Sequence, residues 1–411
     1  MSSLRILIYH NQDQGERRTS RMLNLAAALS RDLEGCSILI LTDLSNLSRS
    51  KIPAGADYIH LPASVPEDGY PHLAKGRHYG GADLRKTRYK IAQGTIKTFR
   101  PDLVLFDDNM LEFSRVREID KLASYIVSEV PRARIVWGLS DTLGGPEYVR
   151  AQWANNGTLR LFERYADEVL VFGAREIFDL AQAYEVPERI ARRFVYTGYL
   201  TNRMPPPLPS RDEVGRTHRK RATILLALGG GPESFTIIDS YLRALERGRG
   251  VLPIRSFIVA SPGLASHQVR ELALRAQRLS NVVFRRHDTQ LLRNAQHADL
   301  VICDGRYETM CEILPYRKMA MVMASANERL EYSFRARLLQ AHGLVTMVPG
   351  DHDPTAMRKL IVKMLFTRTL AMKYTLLEHL MLNGLARTVE RIRCITGREL
   401  TDETIAPALA A

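Results

Sequence analysis

Residues 10–21, HNQDQGERRTSR, follow a strand-like run, LRILIY, and mix side chains that move protons with side chains that hold anions. His10 and Asp13 are proton acceptors, whereas Arg17, Arg18 and Arg21 are fixed positive charges that cannot serve as bases. In an open α/β sheet the loop after a strand is the usual place for a ligand. A second stretch, LLALGGGPES, sets Gly229, Gly230 and Gly231 between an apolar run and a helix. Glycines there let backbone N–H groups and a helix N-terminus approach an anion. A tight turn alone needs them too, and no Lys-Ser/Thr pair follows as in a P-loop. A third stretch, ADLVICDGRYETMCEIL, puts Gly305 and Arg306 in a turn, with Thr309 and Glu312 three apart on one helix face. Hydroxyl, N–H and carboxylate groups together suit a ribose diol and a diphosphate. A first-turn partner of the helix dipole is the plainer role for Glu312.

Short apolar runs alternate with amphipathic helical patterns along the whole chain. LRILIY, CSILILT, DYIHLP, PDLVLFD, RIVWGLS and DEVLVFG read as strands, with helices over 82–98, 114–129 and 157–165 between some of them. NRMPPPLPSRDEVGRTHRKR follows, and its proline run fits neither a helix interior nor a central strand. A second series then begins: ATILLALGGG, helix 233–247, IRSFIVASPG, helix 265–279, NVVFRRH, helix 289–297, ADLVICDG, helix 307–316, KMAMVMAS, helix 328–342, GLVTMVP and a helical stretch over 354–397. The pattern predicts an α/β protein with two Rossmann-like domains facing each other across a cleft. Their expected limits are 1–201 and 221–395, with a Pro-rich linker at 202–220 and a tail at 396–411.

Length and composition fit two globular domains, at 411 residues with 45% hydrophobic and 25% charged content. No apolar run approaches the ~20 residues of a spanning helix, and the N-terminus does not read as a signal peptide. A cytoplasmic protein is the expectation. Its net charge of +13 favours anionic partners: phosphorylated substrates, polyanions or an anionic membrane surface touched peripherally at its inner face. Solvated basic faces explain part of that charge. Aromatic content of 7% and the lack of zinc-finger, RNA-binding or basic-zipper patterns argue against nucleic acid. Cys36, Cys303, Cys311 and Cys394 show no CxxC spacing and read as free thiols.

GRYETMCEIL, followed by KMAMVMASANERLEYSFRARLLQAHGL, resembles the donor domain of GT-B glycosyltransferases. It is most similar to the family 28-type enzymes related to the peptidoglycan N-acetylglucosaminyltransferase, and to a bacterial "predicted glycosyltransferase" group among them. That group reads G-G-Y-N-T-x-C-E, then E-Q-x-x-R-A-x-x-L, then G-L. Gly305, Tyr307, Thr309, Cys311, Glu312, Glu331, Arg335, Ala336, Leu339, Gly343 and Leu344 match it. GLSDTLGGPEYVRAQW, ERYADEVLVFG and VYTGYL agree in colinear order in the first half. The resemblance implies the GT-B fold and a nucleotide-diphosphate sugar, UDP-linked on family grounds, as co-substrate. Gly229–Gly231, Gly305 and Thr309 would cradle the diphosphate, Glu312 the ribose, Glu331 the sugar hydroxyls, and His287 or the backbone beside it the base. No metal and no further cofactor are implied. The acceptor is unidentified, with a phosphorylated or lipid-linked compound favoured by the charge.

The group's first turn reads H-x-x-G-x-G-H-x-x-R. Laid over this chain it keeps Gly15 and Arg21, but puts Gln12 and Arg18 at the two histidines and Arg17 at the second glycine. Arg18 thus stands at the usual base position. Arg306 replaces a glycine of the diphosphate turn, Glu308 replaces an Asn, and Tyr332 replaces the glutamine after Glu331. If transfer survives, Asp13, His10, Asp108 or Asp141 would serve as base, while Arg17, Arg18 and Arg306 would bind the diphosphate or a phosphorylated acceptor. The alternative is a noncatalytic GT-B protein that binds a nucleotide, a glycan or a partner.

Overall fold

The structure is a computed structural model. It describes residues 3–11, 18–44, 47, 52–62, 81–107, 109–201, 221–228, 233–247, 252–260, 264–286, 294–316, 318–324, 330–348, 353–366 and 382–397, with the backbone alone at 18–20, 81 and 82. The first series runs β1 (Leu4–His10), α1 (Arg18–Asp32), β2 (Cys36–Thr42), β3 (Ala56–His60), α2 (Gly81–Phe99), β4 (Leu103–Asp107), α3 (Phe113–Glu129), β5 (Arg134–Ser140), α4 (Pro146–Asn156), α5 (Thr158–Tyr165), β6 (Glu168–Phe172), α6 (Leu180–Ala183), α7 (Glu188–Ala191) and β7 (Phe194–Tyr196). The second runs β8 (Ala222–Ala227), α8 (Ser234–Glu246), β9 (Ile254–Val259), α9 (Ser266–Ala276), β10 (Val282–Arg285), β11 (Leu300–Cys303), α10 (Tyr307–Ile313), β12 (Met319–Met323), α11 (Glu331–Ala341), β13 (Thr346–Val348), α12 (Pro354–Phe366) and α13 (Gly384–Ile395).

Every strand pair is parallel. The seven-stranded sheet has the order β3-β2-β1-β4-β5-β6-β7, and the six-stranded sheet repeats it as β10-β9-β8-β11-β12-β13. Helices cover both faces of such sheets, so central strands must be apolar on both sides. β4 (LVLFD), β6 (EVLVF) and β11 (LVIC) are buried at every position, whereas the edge strand β3 is largely open. The strand order reverses between β1 and β4 in one sheet and between β8 and β11 in the other. At those switch points the loops diverge and leave a crevice at the carboxyl ends. His10 and Asp107 are register partners there, and Ala227 and Cys303 are their counterparts.

The structure adds to the expected elements at three points. Residues 146–156 form a helix that apolar periodicity does not reveal, because only Val149, Trp153 and Asn156 are buried on it and Pro146 opens it. Of the helix expected over 289–297, residues 289–293 lie outside the described residues and Asn294–His297 form a 3-10 turn. The last helix, counted with the second domain by sequence order, packs against α1 of the first. Arg391 binds Glu168, and Arg393 Nη2 donates to the Asp32 carbonyl at 2.7 Å. Gly384 makes this crossing feasible: a Cβ there would lie 2.4 Å from the Gly198 carbonyl oxygen and 2.5 Å from that of Tyr199. One apolar cluster consequently runs from Ile8 and Leu25 of the first domain to Met310, Leu385 and Ile392.

Candidate functional site

At the carboxyl edge of the first sheet, three strand ends and one helix converge. His10 ends β1, Asp107 ends β4, Ser140 ends β5, and Arg21 reaches in from the first turns of α1. His10 Nδ1 lies 2.9 Å from Asp107 Oδ2. Arg21 Nη2 donates to Asp107 Oδ1, and its Nη1 donates to Ser140 Oγ at 2.7 Å. All four residues are buried. Burial alone would raise the Asp107 carboxyl, but Arg21 and then His10 outweigh it and hold that group well below the usual carboxylate range. An ionised Asp107 makes Nδ1 the donor, so in the neutral ring Nε2 carries the lone pair. That Nε2 is buried and has no hydrogen-bond partner among the described residues.

The facing edge belongs to the second domain. β11 ends at Cys303, and Gly305 turns the chain with φ +75° into α10. A Cβ at Gly305 would sit 2.8 Å from Val322 Cγ1 and 3.1 Å from the Tyr332 carbonyl oxygen, so the position needs glycine on both counts. Arg306 folds back: its Nε donates to Asp304 Oδ2 at 3.0 Å and its guanidinium lies 5.5 Å from the Tyr332 ring centroid. Thr309 is buried and Glu312 half-buried on α10. Glu308, at the first turn, is buried with Oε1 unbonded among the described residues. It places a carboxylate where helix N–H groups and Arg21 supply positive potential.

The two edges touch. Arg335, fully buried on α11, donates from Nε to Asp141 at 2.8 and 3.0 Å and from Nη2 to the same carboxylate at 2.6 Å. It also donates to Glu331 at 2.5 Å and to the Gly305 carbonyl at 3.3 Å. Asn109 Nδ2 donates to the other Glu331 oxygen at 3.1 Å. Arg21 and Arg335 both lie over the Tyr307 ring, at 5.6 and 5.5 Å from its centroid. Burial opposes the charge on Arg335, yet Asp141 and Glu331 hold it charged, well above the ordinary arginine value. One polar seam thus joins the domains through Asp107, Arg21, Tyr307, Arg335 and Asp141.

Of the residues singled out in the sequence, His10, Arg21, Asp141, Gly305, Arg306 and Glu331 lie along this seam, and Thr309 and Glu312 are on the adjoining helix. Asp13, Gly15, Arg17, Asp108, Gly229, Gly230, Gly231, His287 and the Arg18 side chain lie outside the described residues. Asp107, Asn109, Ser140 and Arg335 were missed as site residues. The strand register could have found the first: His10 and Asp107 end two adjacent parallel strands in line. The basic cluster around Arg85–Lys90 is also not wholly a solvated face. Arg88 is buried, donating to Asn11 at 2.7 Å, Glu118 at 3.0 Å and Asp43 at 3.3 Å.

No family profile and no curated protein matches the chain by sequence. Solved structures resemble it in fold. CalG4, the calicheamicin glycosyltransferase, superposes with a TM-score of 0.66 at 16% identity, over 98% of this chain and 100% of that one. The glycosyltransferase of kitacinnamycin gives 0.63 at 15% identity, over 96% and 100%. MurG of Acinetobacter baumannii gives 0.60 at 14% identity, over 95% and 99%. The fold is therefore GT-B, as the resemblance implied.

Proposed function

We propose that this chain is a glycosyltransferase that moves a sugar from a nucleotide-diphosphate sugar to an acceptor hydroxyl, with His10 as the base. The observation that carries this reading is the His10–Asp107 pair at the switch point, with Nε2 unbonded and Arg21 fixing the carboxylate. The acceptor O–H gives its proton to His10 Nε2 as its oxygen bonds to the anomeric carbon. The bond from that carbon to the diphosphate breaks, and the leaving group keeps the electron pair. Asp107 steadies the imidazolium that forms, while Arg21 keeps Asp107 ionised and in place. Displacement from one side inverts the anomeric centre. Arg18 holds the usual base position without being able to act as one, and in this assignment His10, at the end of β1, takes the function of the missing turn histidine.

The donor reading places the diphosphate at the Gly229–Gly231 loop and the Gly305 turn, with Glu312 on the ribose and Glu331 on the sugar. Helix N-termini and Arg306 would take the leaving charge without a metal. Uridine is the first base to try, on resemblance, and the net charge of +13 makes a lipid-linked or phosphorylated acceptor, met at an anionic membrane face, the first class to screen.

One observation favours the noncatalytic reading. Both oxygens of Glu331 are engaged, by Arg335 and by Asn109, and Arg306 is turned onto Asp304 and Tyr332. Titration with a panel of nucleotide sugars, read by calorimetry and by release of nucleoside diphosphate, separates the two. Binding with turnover that fails in Glu312→Ala supports transfer; binding without turnover across a broad acceptor panel supports the noncatalytic protein.

A further inference from the structure

We propose that the outer face of the second domain carries a phosphate-binding pocket, formed where the last turns of α8 and α9 lie side by side. The cavity has a volume of about 260 Å³ and is lined by Arg243, Glu246, Arg247, Arg275 and Arg278. All four arginines line it, Arg243 and Arg275 from the last helical turns and Arg247 and Arg278 from the residues just after them. Asp239 holds two of them: Arg243 Nε donates to one oxygen at 2.6 Å, and Arg275 Nη1 lies 2.6 Å from the other. Arg247 and Arg278 are exposed and have no side-chain partner among the described residues. Four guanidinium groups against Asp239 and Glu246 leave an excess of two positive charges around one cavity.

Helix capping does not explain this set. Arg243 and Arg275 already supply the basic residue of each last turn, which is what the helix dipole favours. Arg247 and Arg278 lie just beyond the helices and add like charge to a place that holds it already. Guanidinium forks converging on a small concave site match the oxygens of a phosphoryl group, which accepts paired N–H bonds from each. Topology separates this pocket from the interdomain seam. α8 and α9 run back from the carboxyl ends of β8 and β9, so their last turns lie at the amino edge of the sheet, opposite the cleft. The ligand class is a phosphate or diphosphate ester. A soluble ester and a phosphomonoester lipid headgroup share that chemistry.

The test is hydrogen–deuterium exchange on the full chain with inorganic pyrophosphate at fixed ionic strength. Slowed exchange over 240–247 and 272–279 is expected, and it disappears in Arg247→Ala/Arg278→Ala. The control Arg132→Ala/Arg160→Ala removes the same charge from exposed positions of the first domain and keeps the protection. Affinity read from this local protection falls about tenfold or more in the pocket variant, as the loss of charge-assisted bonds requires. An unchanged melting temperature shows that the variant is folded. Protection at the Gly305 turn reports the cleft and is scored apart. Phosphatidylcholine vesicles with and without phosphatidic acid then assign the source. Retention that needs both phosphatidic acid and the two arginines places the phosphate on a lipid, and pyrophosphate protection without retention places it on a soluble ester. No local protection in the wild type, or equal protection in the pocket variant, overturns the proposal.

Discussion

Asp141→Asn keeps the size of a buried side chain and removes the charge that Arg335 grips from the other domain. The pair is almost free of solvent, with Arg335 at 0% and Asp141 at 7% side-chain exposure, and three of its contacts are 2.6–3.0 Å. Removing one partner of such a pair typically costs ~3–5 kcal/mol, because the other charge stays buried. Arg335 keeps Glu331 and the Gly305 carbonyl, so Asp141→Asn belongs at the low end, about 3 kcal/mol. Arg335→Met strands Asp141 with the backbone N–H of Thr142, at 2.9 Å, as its remaining described partner, and belongs at about 4 kcal/mol. Once either charge is gone, loss of the second removes a liability as well as a partner. The double variant should therefore be more stable than additivity requires, by ~1–3 kcal/mol. Urea unfolding of the wild type, both single variants and the double variant measures this coupling. Additivity within ~0.5 kcal/mol would mean that the pair is not a closed contact between the domains, and the seam described above would be wrong.

Asp107 sets a pH dependence. Its carboxyl is held below the ordinary value by Arg21 and His10, so its stabilising contribution is present above about pH 4 and is lost as pH falls towards the folded-state value. Asp107→Asn should be less stable at neutral pH and should lose less on acidification, as read from urea midpoints at successive pH values. Gly384→Ala forces a Cβ into two carbonyl oxygens at 2.4 and 2.5 Å and should lower stability by about 2–4 kcal/mol by displacing α13, with exposure of the α1 face seen as faster amide exchange. Gly305→Ala combines a positive φ with a 2.8 Å approach to Val322 and should cost about 1–3 kcal/mol in unfolding free energy. If donor binding survives that change at full affinity, the turn does not hold the donor.

The two α/β series were legible because the buried strands are short apolar runs separated by helical patterns. α4 was not, since Val149 and Trp153, one turn apart, are too few buried apolar side chains to make a stripe, and the packing of α13 on α1 depends on a close approach at Gly384 that is invisible in one dimension. The site was legible by halves. His10, Arg21 and Glu331 stand next to recognisable punctuation: a strand end, a helix start, a motif. Asp107 required choosing between two adjacent aspartates, and side chains at neighbouring positions of a strand point to opposite faces. Arg335 matched a motif but looked like a helix-face arginine until its partner, Asp141, 194 residues away, was placed against it.

The central claim is that His10, held by Asp107, takes the acceptor proton in a transfer from a nucleotide sugar. Its most direct measurement is calorimetry and nucleoside diphosphate release for the wild type and for His10→Ala over one panel of nucleotide sugars. The account predicts saturable binding of one donor by both proteins and turnover lower by about 10²–10⁴-fold in the variant. Equal turnover in the two would remove His10 from the chemistry, and a wild type that binds no uridine, thymidine, guanosine or adenosine sugar would contradict the donor assignment itself.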